Sequence, residues 1–120
     1  MHSLILFTSL VNNMRVVFSN KELKQWFETP LNDIEEKLPF NIEILKQYKK
    51  KVQLILSADS LIELKKINGL NFEALKGDRK GQFSIRLNKQ YRLIIKQLTE
   101  NENSIVIDIV LIIEISKHYE

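Results

Sequence analysis

The spacing of hydrophobic positions changes along the chain, and each spacing predicts a different secondary-structure element. Residues 15–18 are mostly β-branched or aromatic, which predicts a short strand. The next apolar residues recur at the three- and four-residue spacing of a helix face, with Asn20 as a candidate N-cap and Pro30 as the residue before which the helix ends. The apolar positions of this first predicted helix are Leu23, Trp26 and Phe27.

A longer helical stripe begins after a loop that runs through Pro39. Its apolar positions are Ile44, Leu45, Tyr48, Val52, Ile55 and Leu56. Residues 49–51 are lysines that either contact phosphate groups or form an ordinary solvated surface, and the second interpretation is favoured because charge runs usually only keep a helix hydrated. Ser60 and Glu63 have the spacing of a capping box, so a short third helix is expected to begin there and to end at residues 68–69.

From Asn71 onward the period of the hydrophobic pattern becomes two, which is typical of half-buried strands. A polar turn at residues 88–90 separates two such strands and predicts a β-hairpin. The register that keeps the apolar side chains together places Arg86 opposite Arg92. The apolar face in that register consists of Ile85, Leu87, Tyr91 and Leu93. The final run, residues 104–115, is apolar at nearly every position, as expected of a central strand covered on both faces.

Together these elements predict an α+β fold, in which an N-terminal strand and two or three helices pack on a small antiparallel sheet. A chain of 120 residues with 44% hydrophobic residues is sufficient for one domain with its own core. Residues 1–13 are interpreted as an N-terminal extension that need not be native, because a second methionine, Met14, opens the better patterned sequence. Residues 14–120 form the single predicted domain.

Composition excludes several kinds of site. No cysteine is present, which rules out disulfides, thiolate metal sites and cysteine nucleophiles, and fits a reducing cytoplasm. No apolar run reaches the roughly 20 residues of a membrane-spanning helix. No His, Asp and Glu cluster has metal-ligand spacing, so neither a metal nor another cofactor is expected. The sequence therefore predicts a cytoplasmic protein with no membrane partner.

The positive charge of the chain is concentrated in one segment, residues 76–96. The whole chain carries a net charge of +3, whereas this segment has seven basic residues and one acid, and the remaining residues have eleven basic and fourteen acidic side chains. The basic residues of the segment are Lys76, Arg79, Lys80, Arg86, Lys89, Arg92 and Lys96. A local excess of positive charge is the pattern that an anionic polymer such as RNA selects.

Two parts of this segment suggest how an anion could be bound. Like charges directly opposite each other, as predicted for Arg86 and Arg92, destabilise a sheet by a few tenths to roughly 1 kcal/mol unless they are solvated, paired with an acid or given an anion. The stretch KGDRKG, residues 76–81, has two glycines but not the spacing of a phosphate-binding P-loop. It is either an anion site or a plain turn in which Asp78 pairs with Arg79 or Lys80, and the pattern alone leaves both open.

Three further residues have alternative roles. Tyr91 could stack on an unpaired base or, as the hairpin register indicates, pack on the apolar face. His118 and Tyr119 directly follow the final strand. A histidine exchanges protons near neutral pH, although one near the end of a chain is also commonly just exposed to solvent.

Residues 71–95, NFEALKGDRKGQFSIRLNKQYRLII, strongly resemble the signature of the HigB-type toxins, the plasmid-maintenance killer branch of the RelE/ParE toxin superfamily. Members show a Leu-Glu-x-Leu-Lys-Gly-Asp-Arg segment, a Ser-Ile-Arg strand and an aromatic-Arg pair, and end in Asp-Tyr-His or Ser-Lys-His-Tyr. The resemblance implies a RelE-like fold and a type II toxin inhibited by a HigA-like antitoxin. It also implies ribosome-dependent cleavage of mRNA, in which the RNA 2′-hydroxyl attacks the adjacent phosphate without a metal.

The resemblance also implies roles for individual residues. Lys76 and Arg92 match basic catalytic positions of the family, and His118 or Tyr119 stands at the position of the proton-transferring group. The predicted RNA-binding residues, taken with the charge pattern, are Arg79, Lys80, Arg86, Lys89 and Tyr91. A ParE-like inhibitor of DNA gyrase and a non-catalytic RNA-binding domain remain alternatives, because a shared fold does not fix the activity.

Overall fold

A computed structural model describes the backbone of residues 5–8, 14–98, 100–102 and 105–117, and the side chains of residues 14–98 and 108–117. Among the described residues, two strands precede three helices and five strands follow them, so the helices lie between strands as predicted, with an additional strand before Met14. The helices are α1 (Lys21–Glu28), α2 (Ile42–Ser57) and α3 (Leu61–Lys65). The strands are β1 (Ile5–Thr8), β2 (Met14–Phe18), β3 (Glu73–Ala74), β4 (Gln82–Arg86), β5 (Tyr91–Gln97), β6 (Glu100–Glu102) and β7 (Ile105–Lys117).

The strands form one sheet in the order β1-β2-β7-β5-β4-β3, and β6 pairs with β7. The α+β prediction and the central position of the last strand are confirmed. The sheet is mixed rather than wholly antiparallel, because β2 runs parallel to β7 while the other pairs are antiparallel. A parallel pair needs a long crossover connection, and here the chain between β2 and β7 includes all three helices.

Side-chain caps fix where the helices begin, as their sequences predict. The Asn20 side chain accepts a hydrogen bond from the Leu23 N–H at 2.9 Å, and α1 ends at Glu28, before Pro30. Ser60 accepts from the Glu63 N–H at 3.2 Å at the start of α3. This helix ends at Lys65, earlier than the predicted residues 68–69.

The predicted stripe of α2 is buried at every position, and it packs with one face of the sheet into the core. The one polar group on that stripe is satisfied, since the Tyr48 hydroxyl donates to the Leu23 carbonyl at 2.6 Å. Burial raises the pKa of the Tyr48 hydroxyl far above its ordinary value. The stripe therefore ties α2 to α1 as well as to the sheet.

Lys49 has a role that neither interpretation of the lysine run predicted. Its Nζ donates hydrogen bonds to the carbonyls of Trp26, Phe27 and Thr29 at 3.0, 2.8 and 2.7 Å. These carbonyls belong to the C-terminal end of α1, where the helix leaves acceptors without intrahelical partners. The solvated-surface interpretation is thus wrong for Lys49, although Lys50 is exposed.

The predicted N-terminal extension includes a strand. Ile5–Thr8 forms β1, which pairs with β2 so that Ile5 lies opposite Phe18 and Thr8 opposite Arg15. β1 occupies one edge of the sheet, at the opposite end from the β4–β5 hairpin. In the part of the chain that the structure describes, no helix combines the length and apolarity required to cross a membrane.

Candidate active site

The β4–β5 hairpin has the register that the hydrophobic pattern predicts. Arg86 lies opposite Arg92, and the Leu87 N–H donates to the Tyr91 carbonyl at 2.9 Å. Ile85 and Leu93 are fully buried against the helices. Because successive side chains of a strand point to opposite faces, the two arginines project from the face away from the helices.

The hairpin turn itself supplies an acceptor between the two arginines. The backbone carbonyl of Asn88 accepts a hydrogen bond from Arg92 Nη1 at 2.7 Å and another from Arg86 Nε at 3.4 Å. The Asn88 side chain in turn accepts from the N–H groups of Gln90 and Tyr91, each at 2.8 Å. A turn that is locked by its own asparagine therefore holds both guanidinium groups near each other.

Arg92 retains donors that could bind an anion. Its hydrogen bonds all come from Nη1, which also lies 3.1 Å from the Tyr91 carbonyl and 3.5 Å from the Lys89 carbonyl. Within the described residues its Nε and Nη2 make no hydrogen bond, and neither Arg86 nor Arg92 has a carboxylate partner. A guanidinium with unused donors and no carboxylate bound to it among the described residues is suited to a phosphate oxygen.

Arg92 lines a pocket of about 260 Å³ on this face of the sheet. Its walls come from β3, β4, β5, β7 and the 3₁₀ turn Gly77–Arg79. The lining residues are Glu73, Leu75, Arg79, Ser84, Arg92, Ile94, Ser116 and Lys117. Strand register explains the set, because Ser116 is opposite Arg92 and Ser84 is opposite both Ile94 and Glu73.

A register irregularity in β7 supplies part of this pocket. Ile94 pairs with Glu114 but the next residue, Ile95, pairs with Ile112, so Ile113 is an extra residue in the strand. Its carbonyl accepts a hydrogen bond from the Ser19 hydroxyl at 2.7 Å. Val110 and Ile112 face the core, and strict alternation would continue that face through residues 114 and 116. The bulge instead turns Ser116 into the pocket and brings Glu114 to the pocket residue Arg79.

The turn at residues 76–81 delivers Arg79 to the pocket. Arg79 forms an ion pair with Glu114 and donates from Nη1 to the Gln82 side chain at 2.9 Å. The predicted plain-turn pairing of Asp78 with Arg79 is therefore wrong. Gly77 and Gly81 adopt φ values of +64° and +96°, which side chains with a Cβ rarely adopt. The stretch is thus a glycine-dependent turn that also places a cation beside Arg92.

Four other predicted site residues of the segment do not line the pocket. Lys76 is exposed and precedes the 3₁₀ turn, next to the pocket residue Leu75. Lys80 and Lys89 are exposed on the two turns, and Arg86 is exposed beside Arg92. The structure therefore brings Arg79 and Arg92 into one pocket and leaves these four side chains outside its walls.

Tyr91 lies on the face opposite the pocket. Its ring packs edge-to-face on Phe40, with ring centroids 6.1 Å apart, and it contacts the core. It lines a second cavity, of about 370 Å³, that includes Trp26. The core-packing alternative is thus the one that the structure supports.

The predicted proton-transfer residues His118 and Tyr119 lie outside the described residues. They follow directly on Lys117, which lines the pocket. Among the side chains that the structure describes, no group of three or more His, Cys, Asp or Glu residues could hold a metal ion.

Five polar residues at or beside the pocket were not predicted from the sequence: Glu73, Ser84, Glu114, Ser116 and Lys117. Glu73 and Ser84 had a signal, because both stand within the motif of residues 71–95. The other three had none, since the bulge that orients Glu114 and Ser116 is invisible in an apolar run.

Comparison with known proteins shows the family to which the chain belongs. The family described as RelE-like toxin of type II toxin-antitoxin system HigB matches residues 16–111. The chain belongs to the HigB-like toxin family. Toxin HigB-1 of Vibrio cholerae serotype O1 is 38% identical over 82 residues, which cover 68% of this chain and 81% of that relative. The HigB prediction is confirmed, and as a type II toxin of the RelE superfamily this HigB-like chain has an antitoxin as its class of partner.

The fold is also found in a solved structure. A YoeB/ParE toxin from Agrobacterium tumefaciens superposes with a TM-score of 0.51, covering 87% of this chain and 98% of that one. At 14% identity, the similarity supports the RelE-like fold of this HigB-like toxin and nothing about its activity.

Proposed function

We propose that this HigB-like toxin is a ribosome-dependent endoribonuclease that cleaves mRNA and so inhibits translation in the cytoplasm. The observation that carries the proposal is the pocket in which Arg92 stands beside Arg79, with unused donors and no acid partner among the described residues. Negative charge builds up on the phosphate oxygens when a 2′-hydroxyl attacks. Preorganised donors that meet this charge supply much of the rate enhancement of such reactions.

The remaining predicted residues are assigned roles around this pocket. Arg92 contacts the scissile phosphate, and the exposed Lys76 supplies further positive charge nearby. Arg86, Lys80 and Lys89 contact the RNA backbone on either side. His118 or Tyr119 protonates the leaving oxygen, and no metal takes part. The inhibitory partner of this toxin is a HigA-like antitoxin.

The proposal is tested by inducing the protein in bacteria and mapping the ends of mRNA during growth arrest. New 5′-hydroxyl ends within translated codons are expected, because the displaced oxygen of this reaction is the 5′-oxygen of the next nucleotide. In purified components, mRNA on programmed ribosomes is expected to be cut faster than the same mRNA alone. Intact messages together with stalled DNA replication would contradict the proposal and favour a gyrase inhibitor.

A further inference from the structure

A carboxylate from a distant strand binds the guanidinium of Arg79. Arg79 Nη2 donates to Glu114, 35 residues further along the chain, and Arg79 Nη1 donates to the Gln82 side chain at 2.9 Å. Neither acceptor is among the residues that line the pocket, and within the described residues Arg79 Nε makes no hydrogen bond. The guanidinium is thus held by two acceptors beside the pocket and keeps further donors for a ligand.

The turn that carries Arg79 does not orient this side chain by itself. The 3₁₀ turn Gly77–Arg79 has no buried residue, and 43% of the Arg79 side chain is exposed. An exposed arginine samples many rotamers, and holding it in one direction costs conformational entropy. The acceptors on β4 and β7 therefore decide where the guanidinium lies.

The backbone of β7 is arranged so that Glu114 reaches Arg79. The extra residue Ile113 reverses the direction of the side chains that follow it. Ser19, directly after β2, holds this bulge, because its hydroxyl donates to the Ile113 carbonyl at 2.7 Å and its N–H to the Ile112 carbonyl at 3.0 Å. The direction of Glu114 is thus fixed by the backbone, unlike that of a typical ion pair between two mobile surface side chains.

The ion pair changes what Arg79 contributes to RNA cleavage. A guanidinium without a carboxylate attracts the phosphates of bound RNA equally before and during the reaction, and such uniform binding does not raise the rate at saturation. When Glu114 neutralises it and fixes its direction, Arg79 attracts the ground-state phosphate less and is a preorganised donor for the charge that develops. Arg92 has no carboxylate bound to it among the described residues, so the two arginines of the pocket differ in this respect.

We infer that Glu114 is a positioning residue for RNA cleavage, which orients and neutralises Arg79 without itself touching the RNA. This assignment rests on the function proposed above. It predicts that removing the charge of Glu114 slows the chemical step, although the pocket then becomes more positive. A merely structural contact would instead change the fraction of toxin that is folded, and the folded toxin would cleave as before.

The test compares Glu114→Gln with the unchanged toxin in single-turnover cleavage of mRNA on programmed ribosomes. Glutamine keeps the length and an acceptor oxygen but cannot neutralise Arg79, so the rate constant at saturating toxin is expected to fall by about 10–10²-fold. The half-saturating toxin concentration should stay the same or decrease, because a more positive pocket attracts RNA more strongly. Glu114→Asp keeps the charge and should recover part of the rate.

Glu28→Gln is the matched control. Glu28 also forms an ion pair, with Lys24, and its side chain is 40% exposed, as is that of Glu114. It lines neither of the two cavities described above. The control should cleave like the unchanged toxin, and urea unfolding should give similar midpoints for the two glutamine variants.

A double-mutant cycle shows whether Glu114 acts through Arg79. Arg79→Gln alone is expected to lower the saturating rate constant by about 10–10³-fold, because one preorganised donor is lost. Adding Glu114→Gln to that variant should change the rate constant by less than about twofold, since the group that Glu114 positions is already absent.

Four results would overturn the inference, and they are distinguishable. Cleavage by Glu114→Gln at the unchanged rate would show that the carboxylate is not needed. A higher half-saturating concentration with an unchanged saturating rate would make Glu114 a binding residue. An equal loss of rate with and without Arg79 would show that Glu114 does not act through Arg79. If the unchanged toxin cuts no mRNA on ribosomes, the proposed function itself fails, and this assignment fails with it.

Discussion

At the scale of single residues, Arg92 combines two properties that seldom occur together. One end of its guanidinium is held by the Asn88 carbonyl, so the side chain has a fixed direction. The other donors make no bond to the described residues and line a pocket. A group that is already oriented loses little further freedom when it meets a developing charge.

We predict that Arg92→Ala lowers mRNA cleavage by about 10²–10³-fold, the usual cost of removing one preorganised donor. Fold stability should change little, because the side chain is part-exposed and has no acid partner in the described residues. Growth arrest and 5′-end mapping measure the effect. Lys37→Ala removes a positive charge from an exposed loop and serves as the control. Full toxicity of Arg92→Ala would remove Arg92 from the site.

At the scale of elements, the turn of the β4–β5 hairpin both closes the hairpin and positions Arg92. The Asn88 side chain accepts two hydrogen bonds from backbone N–H groups, and the Asn88 backbone carbonyl accepts hydrogen bonds from both arginines. Such asparagine-closed turns are a local alternative to regular ladder bonds. The position of Arg92 therefore depends on a residue that itself carries no charge.

We predict that Asn88→Ala lowers the free energy of unfolding by about 1–2 kcal/mol, since two hydrogen bonds lose their acceptor. Cleavage should fall as well, because the turn that holds Arg92 loosens. Asn88→Asp keeps an acceptor oxygen, so its free energy of unfolding should be close to that of the unchanged protein. Urea unfolding of both variants checks this, and equal stability of the alanine variant would show that the side-chain bonds do not hold the turn.

Lys49 of α2 binds the carbonyls at the C-terminal end of α1. Lys49→Met removes three hydrogen bonds to the carbonyls at the end of α1 and should lower the free energy of unfolding by about 1.5–3 kcal/mol. Lys50→Met, at the exposed neighbouring position, should change it by less than about 0.5 kcal/mol. Denaturant titrations compare the two variants, and similar effects of both would argue against the capping role.

At the scale of the whole molecule, the site lies at one end of the sheet and β1 at the other. The described core side chains lie between Met14 and Ile115, and they join one face of the sheet to all three helices. Among the described strands, β1 pairs only with β2. The pocket and the core thus do not depend on ladder bonds to the first strand.

We predict that a chain beginning at Met14 still folds and still arrests growth. Its free energy of unfolding should fall by about 1–3 kcal/mol, because a four-residue antiparallel pair adds a few ladder bonds of roughly 1 kcal/mol each. Circular dichroism, urea unfolding and a growth assay test this. An unfolded truncated chain would show that β1 is essential to the domain.

Much of the fold could be predicted because it is encoded locally. Helix caps at Asn20 and Ser60 act within three residues, and the α2 stripe follows from a helical repeat. The Arg86–Arg92 register follows from a short turn between two alternating runs. The basic segment and its motif also identified Arg79 and Arg92, which the pocket brings together.

Only the tertiary structure decided how distant segments meet. The parallel pairing of β2 with β7, the bulge at Ile113 and the Arg79–Glu114 ion pair each join parts of the chain that local periodicity does not relate. An almost continuous apolar run such as residues 105–113, with Asp108 as its one charged residue, does not determine the strand register, because its residues do not alternate between apolar and polar. The sequence alone thus determined the elements and the charge of this toxin, and strand pairing over long distances determined which side chains share its pocket.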